Sequence, residues 1–379
     1  MKVLHLINTL SAGGAELHLL TLCRSLQSNN VQPVVACLRE RVEGSRSLRP
    51  DFERLGIKVI DLKAGSRYDL RFLFRIARVL TEEQPDILHT HLPRADLAGG
   101  FVKILRPSIT WVSSVHGIYS EDWSGRWSLP LIRGMWRRAN RVLCISHAVH
   151  DWLIRDGLTP HSARVIHYGI EADQFLHPRT RLREAWGLDG RFVVGSLGRL
   201  EPRKGHQYLI QAMPELSRRV PGALLLIAGH DPWGYGSKLR RLVDKLGLGE
   251  RVRLVGFQSD VPSFLSALDA FAFATCSEGF GQVMIEAMAA GTAVVASKVA
   301  PLTEIATDGQ TALLVEAENP SAFADALARV LNDSTLRQQI VNAARARVQN
   351  YFTAERMTRE TISLYEEVCG QRSMLRAHA

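Results

Sequence analysis

Short apolar runs, each closed by a polar or glycine-rich break and followed by a longer stretch of helical spacing, recur along the chain. In the first half the runs are KVLHLIN (2–8), QPVVACLR (32–39), KVIDL (58–62), DILHTH (86–91), ITWVSSVH (109–116), RVLCIS (141–146) and ARVIHYG (163–169). In the second half they are RFVVGSLGRL (191–200), ALLLIAG (223–229), VRLVGF (252–257), DAFAFAT (269–275), TAVVAS (292–297) and TALLVE (311–316). Continuous apolar runs mark strands buried on both faces, and their alternation with helical stretches predicts parallel sheets flanked by helices. The expected fold class is therefore α/β, with two doubly wound domains. From about Asn319 the pattern is helical to the end (SAFADALARVL, STLRQQIVNAARARVQ, AERMTRETISLYEEV), and nothing after Glu316 reads as a strand. The stretch HYGIEAD reads as a linker, which sets domains at 1–172 and 173–355, with a last helical stretch, 356–379, that need not belong to the second domain.

The composition of the 379 residues, 46% apolar and 22% charged, excludes a disordered chain, a collagen-like repeat and a coiled coil. Charge adds a second fact: 47 Lys and Arg against 38 Asp and Glu leave a net +9. The excess is lopsided, with 23 basic against 16 acidic residues in 1–172 and 24 against 22 in 173–379. A basic excess points to an anionic partner: nucleic acid, a phosphate-bearing ligand or a membrane surface. No run of five like charges and no zinc-finger or RNA-binding signature accompanies it, so no nucleic acid partner is expected. The five cysteines (Cys23, Cys37, Cys144, Cys276, Cys369) include no C-x-x-C pair and are expected to be reduced thiols, several of them buried, in a reducing cytoplasm. The N-terminal MKVLHLINTL is interrupted by His5, Asn8 and Thr9, so it reads as a strand rather than a signal peptide. No apolar run approaches the roughly 18–20 residues that span a bilayer.

In an open parallel sheet, ligands sit beyond the carboxyl ends of the strands. After the first strand stands Ser11-Ala12-Gly13-Gly14-Ala15-Glu16, where paired glycines at a helix start either offer N–H groups to an anion or simply make a turn. His89, His91 and His116 end or follow strands, and each suits proton transfer, hydroxyl or phosphate binding, or a structural hydrogen bond. His89 and His91 share a strand face, and one of them is expected to point into the sheet packing. No third histidine or carboxylate stands at a convincing metal-ligand spacing from them, so no metal is expected. In the second half Arg199 and Lys204 flank a Pro turn at a strand end, where a guanidinium and an ammonium suit a phosphate. The loop Cys276-Ser277-Glu278-Gly279-Phe280-Gly281-Gln282 then opens a helix that carries Glu286. Its carboxylates suit sugar or ribose hydroxyls, and its glycines and helix start suit a diphosphate.

With these residues in view, the chain resembles the family 4 glycosyltransferases. The resemblance rests on GGAE at 13–16, HTH and VHG in the first half, ISHAV at 145–149, G-R-L-x-x-x-K-G at 198–205 and E-x7-E from Glu278 to Glu286, and it covers nearly the whole chain. It implies the GT-B fold, two Rossmann-like domains facing a cleft with a C-terminal helix returning to the first. The implied reaction moves a sugar from a nucleotide diphosphate sugar, UDP- or GDP-linked, to an acceptor with the anomeric configuration retained. It further implies that Arg199 and Lys204 hold the donor diphosphate and stabilise the departing nucleotide, that Glu278 binds the transferred sugar and Glu286 the ribose, and that Gly279, Phe280, Gly281 and Gln282 line sugar and phosphate. Gly13 and Gly14 would close on the phosphates, and His116 would sit near the reacting carbon. No D-x-D occurs in the chain, consistent with a metal-independent reaction without a cofactor.

The sequence departs from the family pattern in the turn AGHDPWGYGSKL, at Ala293 where Pro is common, and at Ala300-Pro301 in place of Gly-Pro. These put the identity of the sugar in doubt. A nucleotide-sugar epimerase of the same fold and a non-catalytic nucleotide-sugar-binding subunit are the alternatives, and the set Arg199, Lys204, Glu278 and Glu286 suits a transferase better. The acceptor, a glycan or lipid-linked molecule of cell-surface polysaccharide or glycolipid synthesis, would bind the first domain. There Arg67, Arg71, Arg75 and Arg78 at helical spacing, and the stretch 125–141 with Trp127, Trp136 and five Arg, form either a solvated basic face or a surface for anionic lipid at the inner face of the membrane.

Overall fold

The computed structural model describes residues 1–41, 46–64, 71–119, 128–176 and 182–377. They form two compact units, one made of Met1–Gly169 with the chain from Ala354 onward, the other of Ile170–Thr353. Each unit is built on one parallel sheet. The first sheet has strands β1 (Lys2–Ile7), β2 (Gln32–Cys37), β3 (Lys58–Asp61), β4 (Ile87–His91), β5 (Thr110–Val115), β6 (Arg141–Cys144) and β7 (Ala163–Val165), in the order β3-β2-β1-β4-β5-β6-β7. The second has β8 (Phe192–Leu197), β9 (Ala223–Ala228), β10 (Val252–Gly256), β11 (Ala270–Phe273), β12 (Ala293–Ser297) and β13 (Leu313–Val315), in the order β10-β9-β8-β11-β12-β13. All thirteen expected strands form, and the α/β, doubly wound expectation holds in both units. Chain direction across each sheet reverses at one point, between β1 and β4 in the first and between β8 and β11 in the second. That switch point is where open α/β sheets gather their ligands.

The alternation of side chains decides what each face of the first sheet buries. Leu4, Leu6, Val34, Ala36 and Leu88 pack on one side with Phe72, Ile76 and Val102 of the helices Arg71–Glu83 and Pro93–Leu105. Ile7, Val35 and Cys37 face the other side and pack with Leu19 and Cys23 of the helix Gly14–Ser28 and with Phe52. Each fully buried side chain of this size stabilises the fold by about 1.5–3 kcal/mol. His5, His89 and His91 share the strand parity of Ile7, so they lie on this second face. The last helix, Ala354–Ala377, packs against the helix Gly14–Ser28 and β5, and Arg141 donates to Glu367 at 2.5 Å.

Among the described residues no cysteine is in a disulfide; Cys23, Cys37 and Cys144 are buried, whereas Cys276 and Cys369 are only half-buried. Among the described residues no helix is long and apolar enough to cross a membrane. The basic face expected in the first half is less free than its sequence suggests. Arg75 turns inward, donating to the carbonyls of Leu62 at 2.5 Å and Lys63 at 2.8 Å. Arg133 pairs with Asp156, and Arg78 with Glu82 at 2.6 Å. Arg67 and residues 125–127 lie outside the described residues.

Candidate functional site

At the switch point of the second sheet, β8 runs out through Gly198, Arg199 and Leu200 into a single 3-10 turn, Pro202–Lys204. Gly205 ends that turn at φ +70°, and a Cβ there would stand 1.8 Å from the carbonyl oxygen of Ala274. Only glycine permits both this left-handed backbone and this approach to the end of β11. The approach stitches two loops together: Cys276 N–H donates to the Arg203 carbonyl at 2.8 Å, and the Arg203 guanidinium donates to the Ser277 carbonyl at 2.9 Å.

Lys204 and Glu278 are thereby brought into an ion pair, with side chains 15% and 10% exposed. Arg199 stays half open to solvent, 3.4 Å from Glu201 and with its guanidinium 5.4 Å from the centre of the Trp233 ring. The aromatic turn that departs from the family pattern therefore shelves one of the two site cations, a contact worth about 0.5–1 kcal/mol at an exposed site. His206, which the sequence reading passed over, holds the same loop from below. Its Nδ1 lies 3.2 Å from Ser196 Oγ and its Nε2 3.3 Å from the Arg199 carbonyl, and burial lowers its pKa to about 4. The K-G-H sequence following the turn was the available signal.

The helix Gln282–Ala290 begins at Gly281, in left-handed backbone at φ +107°, with no side chain capping it. An uncapped helix start carries partial positive charge and favours an anion. Phe280 is buried, its ring edge-on to Phe352, so only its backbone can serve a ligand. Gln282 donates to Glu286 at 2.9 Å, and desolvation lifts the Glu286 carboxyl to about 7 against that bond. The second unit thus gathers Arg199, Lys204, Glu278, Gln282 and Glu286 on the loops and helix start that follow β8 and β11.

The first unit is different in kind. The helix Gly14–Ser28 also starts on glycine, but its own Glu16 lies over Gly13, where a Cβ would meet the carboxylate at 2.7 Å. His89 and His91 are both fully buried, where one had been expected to be, and a third imidazole does join them: His5, from β1. The sequence could not show this, since strand order alone makes His5 the neighbour of His89. The nitrogens are already engaged, however. His89 lies 2.6 Å from Tyr365 Oη and 2.8 Å from Ser114 Oγ, and His91 lies 3.1 Å from His5 Nδ1 and 3.0 Å from His116 Nε2. Of the nitrogens of His5, His89 and His91, His5 Nε2 alone has no hydrogen-bond partner among the described residues. His116 is half-buried, with Nε2 on His91 and Nδ1 on the hydroxyl of Tyr168.

Two doubly wound units, one with cations and carboxylates gathered at its switch point, define an α/β protein suited to a nucleotide ligand. The family model described as Glycosyl transferases group 1 matches residues 178–347, and that described as Glycosyltransferase Family 4 matches residues 12–174. The phosphatidyl-myo-inositol mannosyltransferase of Mycobacterium tuberculosis is 30% identical over 305 residues, covering 78% of this chain and 77% of that one. The capsular polysaccharide biosynthesis glycosyltransferase CapM of Staphylococcus aureus is 26% identical over 312 residues, 78% of this chain and 80% of that one. The crystal structure of Anabaena Alr3699/HepE in complex with UDP-glucose matches at TM-score 0.87 and 23% identity, covering 97% of this chain and 100% of that one. The chain belongs to the family 4 glycosyltransferases and is a glycosyltransferase of the GT-B fold class.

Proposed function

We propose that the protein transfers a sugar, with its anomeric configuration retained, from a nucleoside diphosphate sugar bound on the second unit to a glycan or lipid-linked acceptor of cell-surface polysaccharide or glycolipid synthesis. The observation that carries this reading is the Gly205 turn, which sets Lys204 against Glu278 beside the half-open guanidinium of Arg199. Arg199 and Lys204 receive the diphosphate and stabilise the charge that builds on the departing nucleotide, a contribution that is often the largest in catalysis. Lys204 exchanges part of its bond with Glu278 for the phosphate, which leaves the Glu278 carboxylate to a sugar hydroxyl. Glu286 takes the ribose hydroxyls, and the backbone from Gly279 to Gln282 faces sugar and phosphate. Gly13, Gly14 and His116 are the first unit's proposed contributions to donor binding and transfer.

The donor is UDP- or GDP-linked, and the reaction needs no further cofactor. The acceptor is assigned to the first unit, where exposed Phe74 stands between Arg71 and Arg78 on the outer face of a helix. That face fits a peripheral position at the inner side of the membrane. Incubating the purified protein with UDP-glucose or GDP-mannose and a membrane extract tests the reading. It expects nucleotide release matched by labelled acceptor, with the product's anomeric configuration, read by NMR, equal to the donor's. An inverted product or nucleotide binding without turnover sinks it.

A further inference from the structure

Beneath the helices Gly14–Ser28 and Ala354–Ala377, three imidazoles, His5 inside β1, His91 at the end of β4 and His116 just past β5, form one continuous chain. His5 Nδ1 meets His91 Nε2 at 3.1 Å, His91 Nδ1 meets His116 Nε2 at 3.0 Å, and His116 Nδ1 meets the hydroxyl of Tyr168. The far end is bare: His5 Nε2 is buried and has no partner. Burial lowers His5 and His116 to about 3 and His91 well below its ordinary value, so at neutral pH each ring is neutral and carries one N–H.

Neutral imidazole has one donor and one acceptor nitrogen, and each N···N contact must hold a single proton. Two protons would set donors against each other; none would leave two lone pairs facing. Only two patterns satisfy both contacts. In one, Tyr168 donates to His116 Nδ1, His116 Nε2–H donates to His91, and His91 Nε2–H donates to His5. In the other every bond reverses, and His116 Nδ1–H donates to Tyr168. All three rings are then Nε2–H, or all three are Nδ1–H. His18 stacks on Tyr168 at 4.0 Å between ring centres, almost parallel at 15°, which fixes the phenol that ends the chain. His89 touches the cluster through its ring faces, but its nitrogens are held by Tyr365 and Ser114, so it stands outside the relay.

We propose that His5 and His91 are positioning residues that, with Tyr168, lock the tautomer and ring plane of His116, and that the three imidazoles change tautomer only together. This deepens the functional reading above and rests on His116 acting in the transfer. Long-range 1H–15N correlation spectra of protein labelled with 15N-histidine, assigned by single substitution, read the tautomer of each ring. The expected result is three neutral rings at pH 7 with one shared tautomer. Mixed tautomers, or any of the three protonated, overturn the chain while leaving a role for His116 untouched.

The functional arm uses His5→Phe and His5→Asn, the latter replacing the lost nitrogen near the Nδ1 position. Phe should move the His116 resonances, although His5 does not touch His116, and lower kcat by about tenfold to a hundredfold with KM little changed, as for a group slightly misplaced. Asn should restore most of both. If Phe shifts the His116 resonances but neither it nor His116→Phe changes kcat, the chain stands and the catalytic reading of His116 falls. If Phe leaves the His116 resonances in place, the positioning proposal falls even where the tautomers agree.

Discussion

The two units place opposite chemistry at the same point of the same architecture. At the switch point of the second sheet the polar groups are charged: Arg199 is half open, and Lys204 and Glu278 pair near the surface. On the corresponding side of the first sheet they are uncharged, fully buried and hydrogen-bonded within the unit, His5 to His91 and His89 to Tyr365 and Ser114. The difference follows from cover. Two helices close over the first cluster, and desolvation penalises any charge there, whereas the second set stands on loops that keep contact with water. A charged site is ready for a phosphate, while a neutral imidazole cluster can hold or relay a proton without the cost of a buried ion.

The largest test of this contrast is acid. His5, His18, His89, His91 and His116 all have lowered pKa values in the folded first unit, so they bind protons only on unfolding as pH falls below about 6.5. Asp96, raised to about 7 by burial, works in the opposite sense, because it releases its proton on unfolding. In the second unit lowered His206 and raised Glu286 oppose each other one for one. Between pH 6.5 and about 4.5 the first unit should lose stability, at about 1.4 kcal/mol per pH unit for each net proton taken up, while the second changes little. Hydrogen exchange followed in each unit measures this, and equal sensitivity of the two units would erase the contrast.

Next in size, Lys204→Ala should lower kcat/KM by about a hundredfold to a thousandfold with the fold retained, since it removes a cation from the proposed leaving-group site. Activity within threefold of the unchanged protein would show that the charged cluster is not the donor site. Gly205→Ala should destabilise the second unit by more than about 2 kcal/mol, because the new Cβ meets a backbone carbonyl in a left-handed turn. Hydrogen exchange confined to that unit is the expected signature. The smallest effect belongs to Gln282→Ala. Without that hydrogen bond the Glu286 carboxyl rises further, and donor affinity near pH 7 should fall about threefold, by titration calorimetry with UDP or GDP.

Much of the second site was legible from the chain because its parts are local. Arg199 and Lys204 flank one turn, and Gly281, Gln282 and Glu286 share one helix start, so strand-end position and glycine content sufficed to mark them as candidates. Lys204 and Glu278 lie 74 residues apart, yet each stands just past a recognisable apolar strand. The first cluster was largely hidden. His89 and His91 stood out at a strand end, but His5 lies inside β1, where it looks like a single polar interruption, and the Tyr365 that meets His89 lies 276 residues away on the last helix. Arg75 was misread for the same reason, since the carbonyls it caps belong to another element.

The sequence by itself determined the thirteen strands, the helical tail and the glycine turns, because apolar periodicity and backbone sterics act between residues close along the chain. Strand order, the return of the last helix to the first unit and the meeting of His5 with His91 and His116 were decided only by tertiary structure. Those follow from which distant surfaces bury each other best, and that competition is settled only when the whole fold closes.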